Sequence, residues 1–417
     1  MRTFQTSSVS AEHIVSVIFG YATKISKEQD IAGLIRLNAD LARDIVGAER
    51  CSLWLLDERT GELWTRVAHE IGEIRIPGSQ GIVGACIAQG ETMMVNEAQS
   101  DKRFLREVDN SSGYRTDSVL CVPLHLEAGV IGALQVLNKP NGFSQEDAEV
   151  VRLMGAYTAA AIQAEWLRKE AETTRLLKHE LAIAANVQQQ LFPGELAMIH
   201  GLEYTGFCRP AKFVGGDYYD FLTMPGDGFS LTLGDVSGKG LPAAVLMASI
   251  QTLLRALLRH NPHDLSAAIR ELNDALYQSS TSERYSTLFC GALNSTRDQM
   301  TYVNAGHIPP FIVRKDGHIE RTTEGDMPIG LMPSVPYRHH TIHLNRGDLI
   351  VCVSDGIVEA QKMDGELWEE SRLESILLEF RHEPVRHLAE RLIRGVDEFV
   401  GSVDQFDDIT IIIIRLI

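Results

Sequence analysis

Four aspartate positions stand where apolar segments begin or end, and their placement predicts a shared carboxylate site. They are Asp217, Asp235, Asp355 and the pair Asp407-Asp408. Each lies next to a run apolar enough to be a buried strand, so the carboxylates would meet at one rim of a sheet. Crowded or buried carboxylates require a cation. The sequence therefore predicts a cation site built from aspartates.

The ligand type indicates both the cation and the reaction. Oxygen donors without His or Cys favour hard divalent cations such as Mg²⁺ or Mn²⁺. Two such ions about 3.5–4 Å apart can hold a hydroxide for in-line attack on phosphorus, with no side-chain nucleophile. Glycines beside Asp217 and after Asp355 would let the backbone approach the metals closely. We therefore expect two Mn²⁺ or Mg²⁺ ions.

Two other patterns do not predict a site. The segment GDVSGKG, residues 234–240, is one residue short of a nucleotide phosphate loop and has Gly240 in place of Ser or Thr. His339, His340 and His343 have no further His or Cys nearby in the sequence, which favours an exposed strand over a transition-metal site.

The residue pattern of the C-terminal segment, 193–417, predicts strands that are joined by Asp-rich turns. It also predicts helices at 242–260, 264–280, 366–380 and 384–401. Its motifs VGGDYYDF, GDVSGKGLPAAVLMA, NAGHIPP, SDGIVEA and DDIT stand in the order found in metal-dependent protein Ser/Thr phosphatases. The segment resembles this PPM family, in particular its bacterial SpoIIE/RsbU-like branch. The resemblance implies an α-β-β-α sandwich with a dimetal site at one end of the paired sheets.

The same resemblance implies roles for individual residues. Asp235 would bridge the two metals that carry the nucleophilic water. The implied metal ligands are Asp217, Asp235, the Val236 carbonyl, Asp355 and Asp407, with Asp408 as the alternative to Asp407. The phosphate-binding arginine of the eukaryotic branch has no secure counterpart, so Arg209 and Lys212 are candidates. Asn304 and His307 match a family motif and have either a structural loop role or a substrate-side or acid role.

The first segment, residues 12–165, predicts an antiparallel sheet flanked by helices. AEHIVSVIFGYATKI and IAGLIRLNADLARDIV have helical periodicity, and hairpins are expected around 57–61 and 127–129, with a short helix in GIVGACIAQG between them. The tail from Asn138 to Asp147 looks like the NK-F-x₃-DE motif, although Ala148 stands where Glu is usual. The segment resembles a GAF sensory domain with an unidentified small-molecule ligand. Cys86 and Cys121 indicate core packing, with a tetrapyrrole or redox role as the alternative.

A long helix is predicted over 144–192, and its second half, 166–192, forms a helical connector. Leu177, Leu181, Ala184, Gln188 and Leu191 step by four and three residues, which is typical of a coiled-coil seam. This predicts a homodimer through the connector. The alternative is a surface helix that packs on its own domain.

Charge and composition restrict the functional classes. The 417 residues carry a formal net charge of −17, which argues against nucleic acid and anionic membranes as partners. The scattered cysteines and the absence of a leader or a long apolar run predict a cytoplasmic protein.

We therefore expect an α+β phosphoprotein phosphatase specific for Ser/Thr and regulated by its GAF domain. By family resemblance its substrate would be a STAS-type anti-sigma-factor antagonist in a partner-switching pathway. The alternatives are a non-catalytic scaffold that binds a regulatory protein and a small-molecule phosphatase.

Overall fold

The structure is a computed structural model that describes Lys27 and residues 31–66, 73–194, 197–279, 284–323 and 325–417. The chain divides into two compact units, Met1–Arg175 and Leu176–Ile417. The helix predicted for AEHIVSVIFGYATKI lies outside the described residues.

The described residues of the first unit form six strands and four α-helices. The strands are β1 (Arg50–Asp57), β2 (Glu62–Arg66), β3 (Glu73–Pro77), β4 (Met93–Val95), β5 (Val119–Leu126) and β6 (Gly129–Leu137). The helices are α1 (Ile31–Val46), α2 (Gly81–Gln89), α3 (Arg106–Ser112) and α4 (Gln145–Gln189), which continues into the second unit. The sheet order is β3-β2-β1-β6-β5-β4 and every pairing is antiparallel. Both predicted hairpins, the short helix and the flanked antiparallel sheet are confirmed.

Two cores cover the two faces of this sheet because side chains alternate along each strand. Leu53 of β1 packs with α1 and with Val151 of α4, whereas the adjacent Trp54 packs with α2 on the other face. Cys86 and Cys121 are free and buried in the α2 core. Burial raises the pKa of the Cys121 thiol well above its usual range, so it stays protonated. This environment is that of packed core residues.

The NK-F-x₃-DE tail fastens α4 to the sheet. Asn138 adopts a positive φ of 54° and its Oδ1 accepts hydrogen bonds from the amides of Asp117 and Ser118. The Lys139 ammonium lies 2.6 Å from Asp147 Oδ1, and Asp147 Oδ2 accepts from the amide and hydroxyl of Ser144. Both oxygens of this buried carboxylate are therefore paired.

The second unit contains two five-stranded sheets. Its strands are β7 (Leu202–Arg209), β8 (Tyr218–Met224), β9 (Gly228–Val236), β10 (Ser286–Leu293), β11 (Gln299–Ala305), β12 (Phe311–Val313), β13 (Ile319–Arg321), β14 (His340–His343), β15 (Leu349–Val353) and β16 (Ile409–Leu416). The sheet orders are β14-β11-β10-β9-β8 and β13-β12-β15-β16-β7. Its helices are α5 (Leu241–His260), α6 (Leu265–Ser279), α7 (Asp355–Val358), α8 (Glu369–Phe380) and α9 (Val385–Val400).

Three apolar layers hold this unit together. Leu233 and Phe289 of one sheet meet Ile350 and Ile412 of the other in the central layer. Helices α5 and α6 cover the first sheet, and α8 and α9 cover the second. The predicted α-β-β-α sandwich is confirmed, as are its four predicted helices, to within a few residues at their ends.

Helix α5 is the one described helix that is long and apolar enough to cross a membrane by length and composition. The sequence was expected to hold no long apolar run, and this helix departs from that expectation. Its residues Met247, Ile250, Leu254 and Leu258 are buried against α6 and the first sheet. This is the packing of a core helix.

The last turns of α4 belong to the second unit and pack within it, so they do not present a complete seam. Gln188 is buried, and Leu191, just beyond the helix, packs against the α5 and α6 core. Leu176, Leu177, Ile183 and Val187 are exposed instead. The predicted seam is therefore wrong at Gln188 and Leu191, because those two positions already have partners within their own domain.

Candidate metal centre

The sandwich brings the predicted aspartates to one end of its two sheets. Asp217 directly precedes β8, and Asp235 lies at the end of β9, its antiparallel neighbour. In the second sheet, Asp355 begins α7 just after β15, and Asp407 lies two residues before β16, which pairs with β15. Two antiparallel strand pairs, β8 with β9 and β15 with β16, thus supply two carboxylates each.

Asp217 and Asp235 form the buried half of the cluster. Asp217 is 1% exposed, and its Oδ2 has no hydrogen-bond partner. Burial, followed by the negative charges of Asp235 and Asp408, raises the pKa of Asp217 well above its usual range. Burial also raises the pKa of Asp235 to about 7, and the charges of Asp355 and Asp407 contribute. Such carboxylates are poorly stabilised as anions by the protein alone.

Asp355 and Asp407 form the more open half. Burial, followed by the charge of Asp407, raises the pKa of Asp355 to about 6. Asp407 Oδ2 lies 2.9 Å from Lys239 Nζ, and the ammonium also donates to the Phe406 carbonyl. Lys239 stands on the glycine-rich turn after β9, which belongs to one of the family motifs and does not match a nucleotide phosphate loop; no role was predicted for Lys239 from the sequence. The structure places it as the cation beside this half.

Asp408 has a different environment from Asp407. Its Oδ1 accepts the Ala211 amide at 2.7 Å, and its Oδ2 accepts the amides of Gly216 at 2.7 Å and Asp217 at 3.3 Å. A Cβ at Gly215 would lie 2.2 Å from Asp408 Oδ2, so the close approach requires glycine. Both oxygens of Asp408 are therefore used to shape the loop that presents Asp217.

The donor set fits divalent cations. All the donors are oxygens, the carboxylates crowd one another, and Asp217 Oδ2 is a buried acceptor without a partner. The Val236 side chain is buried in the core, and its carbonyl oxygen would lie 2.7 Å from a Cβ at Gly216. Within the described ranges, no three His, Cys, Asp or Glu side chains are drawn together closely enough to form a complete ligand set for one ion. The cluster has the composition of a hard-cation site, with Asp407 held by Lys239.

Asn304 and His307 form a self-contained loop. The Asn304 side chain accepts the His307 amide at 2.8 Å and donates to the His307 carbonyl at 3.0 Å. His307 Nδ1 lies 2.9 Å from Thr287 Oγ1, and burial lowers the pKa of this imidazole to about 4. Because burial keeps this imidazole neutral at neutral pH, it lacks the acidic proton of an imidazolium, which favours the structural role over the acid role.

The candidate phosphate-binding cations differ in availability. Arg209 contacts Asp397 through Nη1 at 3.0 Å and Nη2 at 2.5 Å, and its Nε donates to Gln405. Lys212 is exposed on the loop before Asp217 and makes no ion pair with a described carboxylate. Of the two, Lys212 is the one free to meet an incoming anion.

The three histidines lie away from this centre. His340 and His343 belong to β14 at the edge of the first sheet, and His339 is exposed beside Ser266. The edge strand is partly exposed, as predicted. These histidines therefore add no ligand to the cation site that the aspartates form.

The first unit contains a small cavity between the sheet and the α2 and α3 side. It measures about 80 Å³ and is lined by Trp54, Ile82, Phe104, Tyr114 and Gln135, among others. Drug-sized ligands occupy pockets of roughly 300–1,000 Å³. The volume of this cavity is below that range.

Comparison with known proteins gives matches in both units. Residues 225–417 match the family model of stage II sporulation protein E (SpoIIE), and residues 30–162 match that of the GAF domain. The phosphoserine phosphatase RsbU of Bacillus subtilis is 30% identical over 243 residues, which cover 57% of this chain and 70% of RsbU. Protein IcfG of Synechocystis is 27% identical over 262 residues, covering 56% of this chain and 41% of IcfG.

A solved structure supports the sandwich fold. The SiaA-PP2C domain of Pseudomonas aeruginosa superposes with a TM-score of 0.54 at 19% identity. The superposition covers 59% of this chain and 100% of that domain. At this level of identity the likeness concerns the fold alone.

Proposed function

Since the chain belongs to the SpoIIE/RsbU family of metal-dependent serine phosphatases and carries a GAF domain, we propose that it dephosphorylates a STAS-type anti-sigma-factor antagonist. The observation that carries this proposal is the cluster of Asp217, Asp235, Asp355 and Asp407 at one end of the paired sheets. A phosphoserine or phosphothreonine of a small regulatory protein is the substrate, and the setting is a cytoplasmic partner-switching pathway.

The family resemblance supplies the proposed ligand roles. Asp217, Asp235, the Val236 carbonyl, Asp355 and Asp407 would hold two divalent cations, with Asp235 contributing to both sites. The carboxylates of Asp407 and Asp408 both have partners, but Asp408 is buried against the amides of the Asp217 loop, whereas Asp407 is more exposed and faces Lys239, which supports Asp407 as the ligand. When bound, Mn²⁺ or Mg²⁺ ions supply Lewis acidity, which activates water and neutralises charge on the phosphoryl group.

The residues of the chain perform the remaining tasks. The four carboxylates must ionise to hold the cations, and Gly215, Gly216 and Gly356 let the backbone pack closely around them. Lys212 is the candidate that holds the incoming phosphate. Phosphate passes directly to water, and we expect no phosphoenzyme.

Control by the first unit is proposed to pass through α4, which begins in the GAF unit and ends in the phosphatase unit. Leu176, Leu177, Ile183 and Val187 form an exposed apolar set on this helix, which supports a homodimer contact between two copies of α4. Helix α5 begins five residues after Val236, so a change at α4 that reaches α5 would also affect Asp235.

The test is a substrate comparison with the full-length protein in Mn²⁺. We expect a phosphorylated STAS-type protein to be hydrolysed with a much higher kcat/KM than p-nitrophenyl phosphate. Equal values for the two substrates would indicate a small-molecule phosphatase. No hydrolysis of any phosphorylated substrate by metal-loaded protein would contradict the proposed function.

A further inference from the structure

Gln188, one residue before the end of α4, is buried against the loop that carries Asp217. It is 5% exposed, whereas its neighbours Gln189 and Gln190 are exposed. A side-chain amide is seldom buried unless both its donor and its acceptor are paired. The hydrogen-bond partners of Gln188 therefore indicate why its side chain is buried.

Both ends of the amide bind the backbone of one residue, Gly215. Gln188 Nε2 donates to the Gly215 carbonyl at 2.7 Å, and Gln188 Oε1 accepts the Gly215 amide at 3.1 Å. Gly215 is buried and lies outside every strand, so it has no ladder partner. The side chain of Gln188 thus replaces a neighbouring strand for this one residue.

The next two amides of the same loop are held by Asp408. Its Oδ2 accepts from Gly216 and Asp217. Three consecutive amides, those of Gly215, Gly216 and Asp217, are therefore fixed by two side chains from distant parts of the sequence. Together these contacts determine where the unpartnered Oδ2 of Asp217 lies.

A second contact fixes the same end of the connector. The Gln251 amide of α5 donates to the Leu191 carbonyl, two residues after α4 ends. Because Leu191 packs on the α5 core, the register of Gln188 relative to Gly215 is maintained. A rotation of α4 about its own axis would move Gln188 away from Gly215.

We propose that Gln188 is a positioning residue for metal binding, which holds the Asp217 loop in its ligating geometry and makes metal affinity depend on the end of α4. The proposal rests on the proposed function, since it assumes that Asp217 is a metal ligand. Residues that orient metal ligands without touching the metal affect affinity by roughly 10–100-fold when they are replaced. Gln188 belongs to this class by its contacts.

The experiment compares Gln188→Met with Gln189→Met in the full-length protein. Methionine keeps the volume of Gln188 but removes both hydrogen bonds, and the exposed Gln189 on the same turn is the matched control. Mn²⁺ affinity is measured by calorimetry, and hydrogen exchange is followed in the peptide that contains 214–217. We expect Gln188→Met to weaken Mn²⁺ binding by about 10-fold or more and to speed exchange in that peptide. Saturating Mn²⁺ should restore kcat to within a few-fold, and Gln189→Met should behave as wild type.

Several outcomes separate this inference from the proposed function. Equal Mn²⁺ affinity in Gln188→Met and Gln189→Met would overturn the positioning role, and so would a loss of kcat that saturating Mn²⁺ does not restore. If Gln188→Met does not fold, Gln188→Asn keeps both polar groups but is one methylene too short, and the same loss of affinity is expected. Failure of the wild-type protein to bind Mn²⁺ would instead contradict the proposed function.

Discussion

Two buried aspartates, one in each unit, have opposite environments. Asp147 in the GAF unit is paired with the Lys139 ammonium and with both donors of Ser144. Asp217 in the phosphatase unit is equally buried, but its Oδ2 has no partner and its other neighbours include the carboxylates of Asp235 and Asp408. The first carboxylate is stabilised by its surroundings and the second is destabilised by them.

This difference separates a fold-determining site from a functional one. A satisfied buried charge fixes a junction, here that of β6 with α4. An unsatisfied cluster is retained at a cost in stability because a ligand completes it, and such conflicts occur at functional sites. Although both aspartates lie in recognisable motifs, only the environment of Asp217 indicates chemistry.

The largest effect is expected from Asp235→Asn, which removes the carboxylate common to both halves of the cluster. Phosphatase activity in saturating Mn²⁺ should fall by at least ~10³-fold, because several kcal/mol of transition-state charge stabilisation depend on it. The matched control is Asp227→Asn, an exposed turn residue in the same β8–β9 hairpin. If Asp235→Asn keeps more than a tenth of wild-type activity, the cluster is not the reaction site.

The next effect is on stability in the first unit. Asp147→Asn leaves the Lys139 ammonium without its partner and should destabilise the GAF unit by about 3 kcal/mol, as expected for a broken, largely buried ion pair. Hydrogen exchange within 31–162 would measure it, with the exposed Asp117→Asn as the control. Unchanged exchange would mean that Asp147 is not the stabilising charge that its contacts indicate.

The sequence predicted the carboxylate cluster because each aspartate borders its own apolar strand, a signal that is local. Local periodicity also predicted both hairpins of the GAF unit and helices α5 and α6, and the family resemblance implied the sandwich. It could not place β1 beside β6, or assign Asp408 to the Asp217 loop, because those contacts join residues far apart in the chain. Gln188 appeared to be a polar interruption of a seam, since only the tertiary contact with Gly215 distinguishes it from Gln189.

A smaller effect is expected from pH in metal-free protein. The pKa of Asp235 is raised to about 7 and that of Asp355 to about 6, so the folded state retains protons that the unfolded state releases above about pH 4. Stability of the phosphatase unit should therefore fall as pH rises from 4 to 7 in EDTA, by about 2 kcal/mol once solvent screening of these partly exposed carboxylates is included. Saturating Mn²⁺ should remove this fall. Thermal unfolding across this pH range tests it, and a rise in stability with pH in EDTA would contradict the assignment.

The smallest effect has the opposite sign to that of Asp147→Asn. Asp217→Asn removes one of the crowded charges and should stabilise the metal-free phosphatase unit by about 1 kcal/mol at pH 7, or roughly 2–4 °C in Tm. The same variant should lose Mn²⁺ binding and activity. If Asp217→Asn destabilises the phosphatase unit, as Asp147→Asn is expected to destabilise the GAF unit, the two aspartates have the same structural role. The contrast between them would then be wrong.

The most direct test of the central claim is a calorimetric titration of the full-length protein with Mn²⁺ at pH 7.5. The carboxylate cluster predicts two ions per chain, and in Asp235→Asn a loss of binding at both positions, because that residue contributes to each. Absence of binding to the wild-type chain, or binding that Asp235→Asn leaves unchanged, would contradict a dimetal centre at this end of the sandwich.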